Sequence, residues 1–187
     1  MKNLAIFASG SGSNAENIIN FFKDNNEVNI KLILCNNPSA FVIERAKRLN
    51  TPCKIFDKKD MKDGNIFTIL KENSIDYIIL AGFLWLVPKE ITSYYDKKII
   101  NIHPALLPNY GGKGMYGDKV HKSVYENKED KSGITIHFVN EFFDNGDIIF
   151  QAETKLTRED TPDTIAKKVH ELEYEYFPKI ISKTISL

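Results

Sequence analysis

Between Leu4 and His103 the chain alternates short apolar runs with segments of helical periodicity, and no other feature limits its fold as tightly. Leu4–Ala8 is an apolar run closed by Ser9-Gly10-Ser11-Gly12-Ser13-Asn14. In Ala15–Asp24, Ile18, Ile19, Phe21 and Phe22 follow a helical rather than an alternating pattern. Asn29–Cys35 reads as a second strand, Ala40–Leu49 as a helix, Cys53–Phe56 as a third strand and Ile66–Asn73 as a helix. Tyr77–Ala81 is a fully apolar strand, Pro88 suits the first turn of a helix, and Ile99–His103 is a fifth strand. Such β-α units predict an α/β fold with a parallel, doubly wound, Rossmann-like sheet and helices on both faces.

The remainder changes character. Lys119–Asn127 reads as a short helix, and Gly133–Val139 alternates like an antiparallel strand with one wet face. A turn at Asp144-Asn145-Gly146-Asp147 leads into the strand Ile148–Glu153. Thr161-Pro162 is an N-cap and N1 pair for a last helix reaching about Phe177, which Pro178 kinks or ends. No repeat or linker divides the chain, so residues 1–187 read as a single domain with an antiparallel C-terminal edge.

Lys+Arg and Asp+Glu each number 25, so the net charge is zero and a nucleic-acid footprint is disfavoured. Only Arg45, Arg48 and Arg158 supply guanidinium forks. Cys35 and Cys53 suggest neither a disulfide framework nor a zinc site, and the four histidines lack paired ligand spacing, so no metal is expected. The N-terminal apolar run is too short for a signal peptide, and Tyr77–Val87 is about half a membrane span. The expectation is a cytoplasmic chain without membrane or nucleic-acid partners, with a homodimer left open.

Four motifs carry chemistry. Gly10-Ser11-Gly12-Ser13-Asn14-Ala15 formally matches the dinucleotide pattern G-x-G-x-x-A, and a helix N-terminus there offers free N–H groups to an anion. The acidic residue that holds a dinucleotide's ribose is replaced by Cys35-Asn36-Asn37, and no Walker Lys follows. A monophosphate site fits better than a dinucleotide, although an ordinary tight turn reads the same way. Asn101 and His103 share one face at a strand's C-terminal end, where an amide and an imidazole suit a developing oxyanion. A histidine before a proline also serves purely structural ends. Asp144 follows Phe142 and Phe143, so it can orient and charge a histidine, yet Asp-Asn-Gly is equally plain turn chemistry. His137 is just as ambiguous. His170 and Glu173 are neighbours on one face of the last helix, as a solvated charged face would also have them.

Together these motifs resemble the phosphoribosylglycinamide formyltransferases of purine biosynthesis, within the folate-dependent formyltransferase superfamily. The likeness runs from Leu4 to about Ile181. Its specific pieces are Ser9–Asn14, Leu80-Ala81-Gly82-Phe83, Asn101–Pro108 and Asp144 after Gly133–Val139. The resemblance implies the formyltransferase fold, with 10-formyltetrahydrofolate as formyl donor and glycinamide ribonucleotide as the accepting amine. It implies that Asn101 and His103 stabilise the oxyanion, and that Asp144 pairs with His103, raises its pKa and assists proton transfer. Gly12, Ser13 and Asn14 would hold the substrate phosphate, with His170 and Glu173 at the ribose phosphate end. Leu84, Trp85, Leu86 and Val87, with Asn101 and with Asn140, Glu141, Phe142 and Phe143, would bind the folate.

Two departures stand out. Trp85 occupies a place where many members carry Arg, and the Tyr110–Gly117 loop differs from the commoner short one. Lys113 in that loop is a candidate for a phosphate or for the folate glutamate tail. A formyltetrahydrofolate deformylase uses the same three catalytic residues on water but carries an extra N-terminal domain. A methionyl-tRNA formyltransferase appends a tRNA-binding domain, and a non-catalytic nucleotide binder would not need Asn101, His103 and Asp144 together.

Overall fold

The computed structural model describes residues 1–186. Seven strands form one sheet: β1 (Lys2–Ala8), β2 (Val28–Cys35), β3 (Cys53–Ile55), β4 (Tyr77–Leu80), β5 (Ile99–His103), β6 (Lys131–Phe138) and β7 (Ile148–Lys155). Their order is β3-β2-β1-β4-β5-β6-β7, parallel through β5 and antiparallel for β6 and β7. The order reverses between β1 and β4, so their C-terminal ends splay into a crevice where an open α/β sheet binds ligands.

Strand alternation separates two apolar layers. Leu4, Ile6 and Ala8 of β1 meet the layer built by helices α1 (Ser13–Phe22), α2 (Val42–Arg48), α6 (Asp118–Glu126) and α7 (Pro162–Ile185). Ala5 and Phe7 face the opposite layer, with α4 (Asn65–Glu72) and α5 (Lys89–Tyr94). Helix α3 (Lys58–Lys62) escapes the sequence pattern because Lys-Lys-Asp-Met-Lys has almost no apolar periodicity. It is fixed instead by a capping box between Asp57 and Asp60.

Two expectations change. Strand β6 has no wet face: Ile134 and Ile136 join one apolar layer, while Thr135 and His137 on the other side are also buried. Their polar atoms are satisfied internally, Thr135 Oγ1 donating to the Ala105 carbonyl at 2.7 Å and accepting from Leu107 N at 2.9 Å. Helix α7 also runs through Pro178 to Ile185 rather than stopping near Phe177. Proline cannot donate to the carbonyl four residues back, and here Asn17 Nδ2 donates to that Tyr174 carbonyl at 2.9 Å.

Candidate active site

The crevice is a cavity of about 670 Å³, within the usual range of small-molecule sites. Its floor is the switch point. Ser9 N donates to the Gly82 carbonyl and Ser9 Oγ accepts from Leu84 N, both at 3.1 Å, which ties the loop after β1 to the loop after β4.

On one side stands the glycine loop. Gly12 has a φ of 75°, and a Cβ there would strike the Val42 side chain. The glycine therefore serves both the left-handed turn and the close approach of α2. The loop's carbonyls are taken up by α2, Gly10 O by Val42 N at 3.2 Å and Ser11 O by Arg45 Nε at 2.9 Å. The first N–H groups of α1 have no backbone acceptor among the described residues, and Ser13 and Asn14 at that end line the cavity, an arrangement suited to an anion. Asn14 Nδ2 donates to Glu173 Oε2 at 2.9 Å, and His170 Nδ1 lies 2.9 Å from that same oxygen. Gly12, Ser13, Asn14, His170 and Glu173 thus line one wall together.

The opposite wall is apolar. Leu84, Trp85, Leu86, Val87, Phe142 and Phe143 all line it, and Leu84, Leu86 and Phe142 are 45%, 42% and 61% exposed. Such open apolar side chains beside a polar floor suit a flat ring. Trp85 meets Phe56 and Phe83 edge to face at centroid distances of 5.9 and 6.3 Å. Asn140 and Glu141 are not brought to this wall. Asn140 Oδ1 accepts from Phe142 N at 2.9 Å, and Glu141 reaches out to Lys89 at 3.1 Å.

Between the walls lie Asn101, His103 and Asp144. His103 Nε2–H donates to the Tyr110 carbonyl at 2.7 Å, which leaves Nδ1 facing Asp144 Oδ2 at 3.5 Å. Gly112 N donates to Asp144 Oδ2 at 2.9 Å and fixes the carboxylate. The other Asp144 oxygen is 3.7 Å from His137 Nε2. Burial pushes the Asp144 carboxyl up, but the two imidazoles and the Gly112 N–H outweigh it and hold it below the usual carboxylate range.

His103 departs from expectation. Burial is the strongest influence on its imidazole, and Asp144 with the Tyr110 carbonyl offsets only part of it, so its pKa is lowered rather than raised.

His137 is the member that sequence left ambiguous. It lies opposite Asn101 in the β5–β6 register, donates from Nδ1 to its neighbour Phe138 O at 2.7 Å, and accepts from Asn101 Nδ2 at 3.0 Å. Its place beside Asn101 follows from the strand pairing, which no local pattern contains. His121, weighed in the sequence only as one of four histidines without paired ligand spacing, lines the cavity with its buried Nδ1 unpartnered, and burial lowers its pKa. Among the described residues no group of three His, Cys, Asp or Glu is arranged to hold a metal. No helix there is long and apolar enough to cross a membrane.

The formyl transferase family model matches residues 2–181. The chain is 38% identical to the chloroplastic phosphoribosylglycinamide formyltransferase of Arabidopsis thaliana over 96% of its length, though it spans only 64% of that protein. It is 35% identical to the phosphoribosylglycinamide formyltransferase of Bacillus subtilis, aligned over 100% of this chain and 96% of the relative. The crystal structure of phosphoribosylglycinamide formyltransferase from Bacillus halodurans superposes with a TM-score of 0.90 at 34% identity, covering 99% of this chain and 96% of that one. The Streptococcus pneumoniae enzyme of the same name gives 0.88 at 30% identity, with 99% of each chain covered. A family model that spans residues 2–181, with a relative 35% identical over the whole chain, places the chain in the formyl transferase family.

Proposed function

We propose that this protein transfers the formyl group of 10-formyltetrahydrofolate to the amine of glycinamide ribonucleotide, a step of purine biosynthesis; the name phosphoribosylglycinamide formyltransferase that its relatives carry supports the formyl transfer and the acceptor. The observation that carries the reading is the meeting of Asn101, His103 and Asp144 at the point where an apolar wall and an anion-donor wall converge. The apolar wall suits the folate ring, and the donor supplies an electrophilic formyl carbon there. The glycine loop, with His170 and Glu173, suits the ribose phosphate of the acceptor.

In this reading the amine nitrogen forms a bond to the formyl carbon while the carbon's bond to folate N10 breaks. One Nδ2–H of Asn101 is spent on His137, so the remaining one donates to the formyl oxygen as it gains charge. The amine's proton passes to His103 Nδ1, the nitrogen not engaged by Tyr110, and is returned to the departing N10. Once protonated, His103 is stabilised by the Asp144 carboxylate 3.5 Å away.

The test is a formylation assay with both substrates and with each alone. Formylated ribonucleotide and tetrahydrofolate formed only when both are present support the reading. Release of formate from the donor at the same rate without the amine would point to a deformylase instead.

A further inference from the structure

The cavity is lined by three carboxylates, Asp118, Asp144 and Glu173, but by one Lys or Arg side chain only, Lys113. A ribonucleotide phosphate entering this cleft as a dianion therefore meets a wall of the wrong sign apart from helix N–H groups. The guanidinium nearest the glycine loop is already engaged, because Arg45 pairs with Glu16 and donates to Ser11 O. Lys113 takes part in none of the ion pairs found among the described residues.

The path of its loop shows which side of the cleft Lys113 serves. At the near end Gly112 N is bonded to Asp144, at the reaction centre. Further along, Met115 packs on the apolar layer that holds α1 and α7. Gly117 then begins α6, whose His121 lines the cleft. The strap thus leads from Asp144 toward the layer of α1 and α7, the two helices that carry Asn14, His170 and Glu173. One buried nitrogen of the cleft-lining His121, Nδ1, has no partner, as befits a ring nitrogen awaiting a polar ligand. Gly112 and Gly114, with φ of 93° and 91° and open space around each, flank Lys113 and let it swing.

We propose that Lys113 is a specificity residue for the acceptor, the one side-chain cation that meets the phosphate of the ribonucleotide. This rests on the formyl-transfer reading for the identity of the acceptor. An ammonium on a flexible stem suits a phosphate reached from a glycine-rich loop.

Calorimetry decides it without requiring turnover. Glycinamide ribonucleotide and its dephosphorylated riboside are titrated into the wild type, Lys113→Met and Lys113→Arg. Loss of one charge-assisted contact weakens ribonucleotide binding by roughly 10- to 100-fold in Lys113→Met. The riboside constant stays the same, Lys113→Arg recovers most of the loss, and thermal unfolding confirms that the exposed substitution leaves the fold intact. Undiminished preference for the phosphorylated acceptor in Lys113→Met overturns the proposal. So does a loss confined to the polyglutamylated donor, which would assign Lys113 to the folate tail. If wild type formylates neither acceptor yet the binding pattern holds, the transfer reading fails while the phosphate contact stands.

Discussion

Asn101 and His137 face each other across β5 and β6, and the amide of one donates to the imidazole of the other at 3.0 Å. Because His137 Nδ1–H is held by Phe138 O, its Nε2 presents a lone pair that fixes which way the Asn101 amide points. In the proposed reaction His137 is thus a positioning residue, acting on the substrate through Asn101. His137→Leu removes the acceptor and frees the amide, so kcat should fall by roughly 10- to 100-fold, a loss of oriented donor of about 1.4–2.8 kcal/mol. His137→Gln, which keeps an acceptor, should recover part of it, and folate Kd should hold in both. Equal loss of kcat and folate binding would make His137 merely structural.

The glycine loop makes opposite demands at its two glycines. A Cβ on Gly12 would strike Val42 and would also sit at positive φ, whereas a Cβ on Gly10 meets nothing within 4 Å. Gly12→Ala should therefore destabilise the protein by about 1–3 kcal/mol. Gly10→Ala should leave the melting temperature within a degree or two. Thermal unfolding of the two variants checks this, and equal stability would show that α2 yields easily.

Much of this architecture was legible because its signals are local. The β-α alternation, the glycine loop and the residues of β5 stand in the sequence as they stand in the fold. What escaped depends on distant partners. The length of α7 required knowing that Asn17 would serve the Tyr174 carbonyl, and the buried polar face of β6 required the loop pinned by Thr135. At the site, Asp144 and His103 were joined by resemblance rather than by spacing. The sign of the His103 shift depends on how deeply the ring is buried, which periodicity does not reveal.

Acid should weaken the fold through two histidines. The folded state holds His103 and His121 below their ordinary pKa, while in the unfolded chain they titrate near about 6.5. The unfolded state therefore binds more protons as pH drops below that value, and stability declines with it. Asp144, held low, keeps its contribution until pH falls below the ordinary carboxylate range. The melting temperature should fall between pH 7.5 and 5.5, and less steeply in His121→Gln. An identical slope in the variant would remove His121 from the account.

Trp85 offers a check on the apolar wall. Trp85→Arg gives up two edge-to-face contacts with Phe56 and Phe83, about 1–3 kcal/mol together, which lowers the melting temperature by several degrees. Because Trp85 lies at the rim of its cluster, the fold and turnover should survive. Collapse of the folded state would show that it is a core residue.

The reaction centre itself is tested most directly by kcat for ribonucleotide formylation in His103→Asn, Asp144→Asn and the double variant, with folate Kd measured alongside. Asp144 raises the His103 pKa against the pull of burial, so in Asp144→Asn the imidazole should titrate still lower by NMR. Each single substitution should cost roughly 10²–10⁴-fold in kcat with folate Kd little changed. The double variant should be little worse than either single one, because the pair moves one proton as a unit. Full turnover in Asp144→Asn, or a double loss equal to the product of the two single losses, would contradict the pairing of His103 with Asp144.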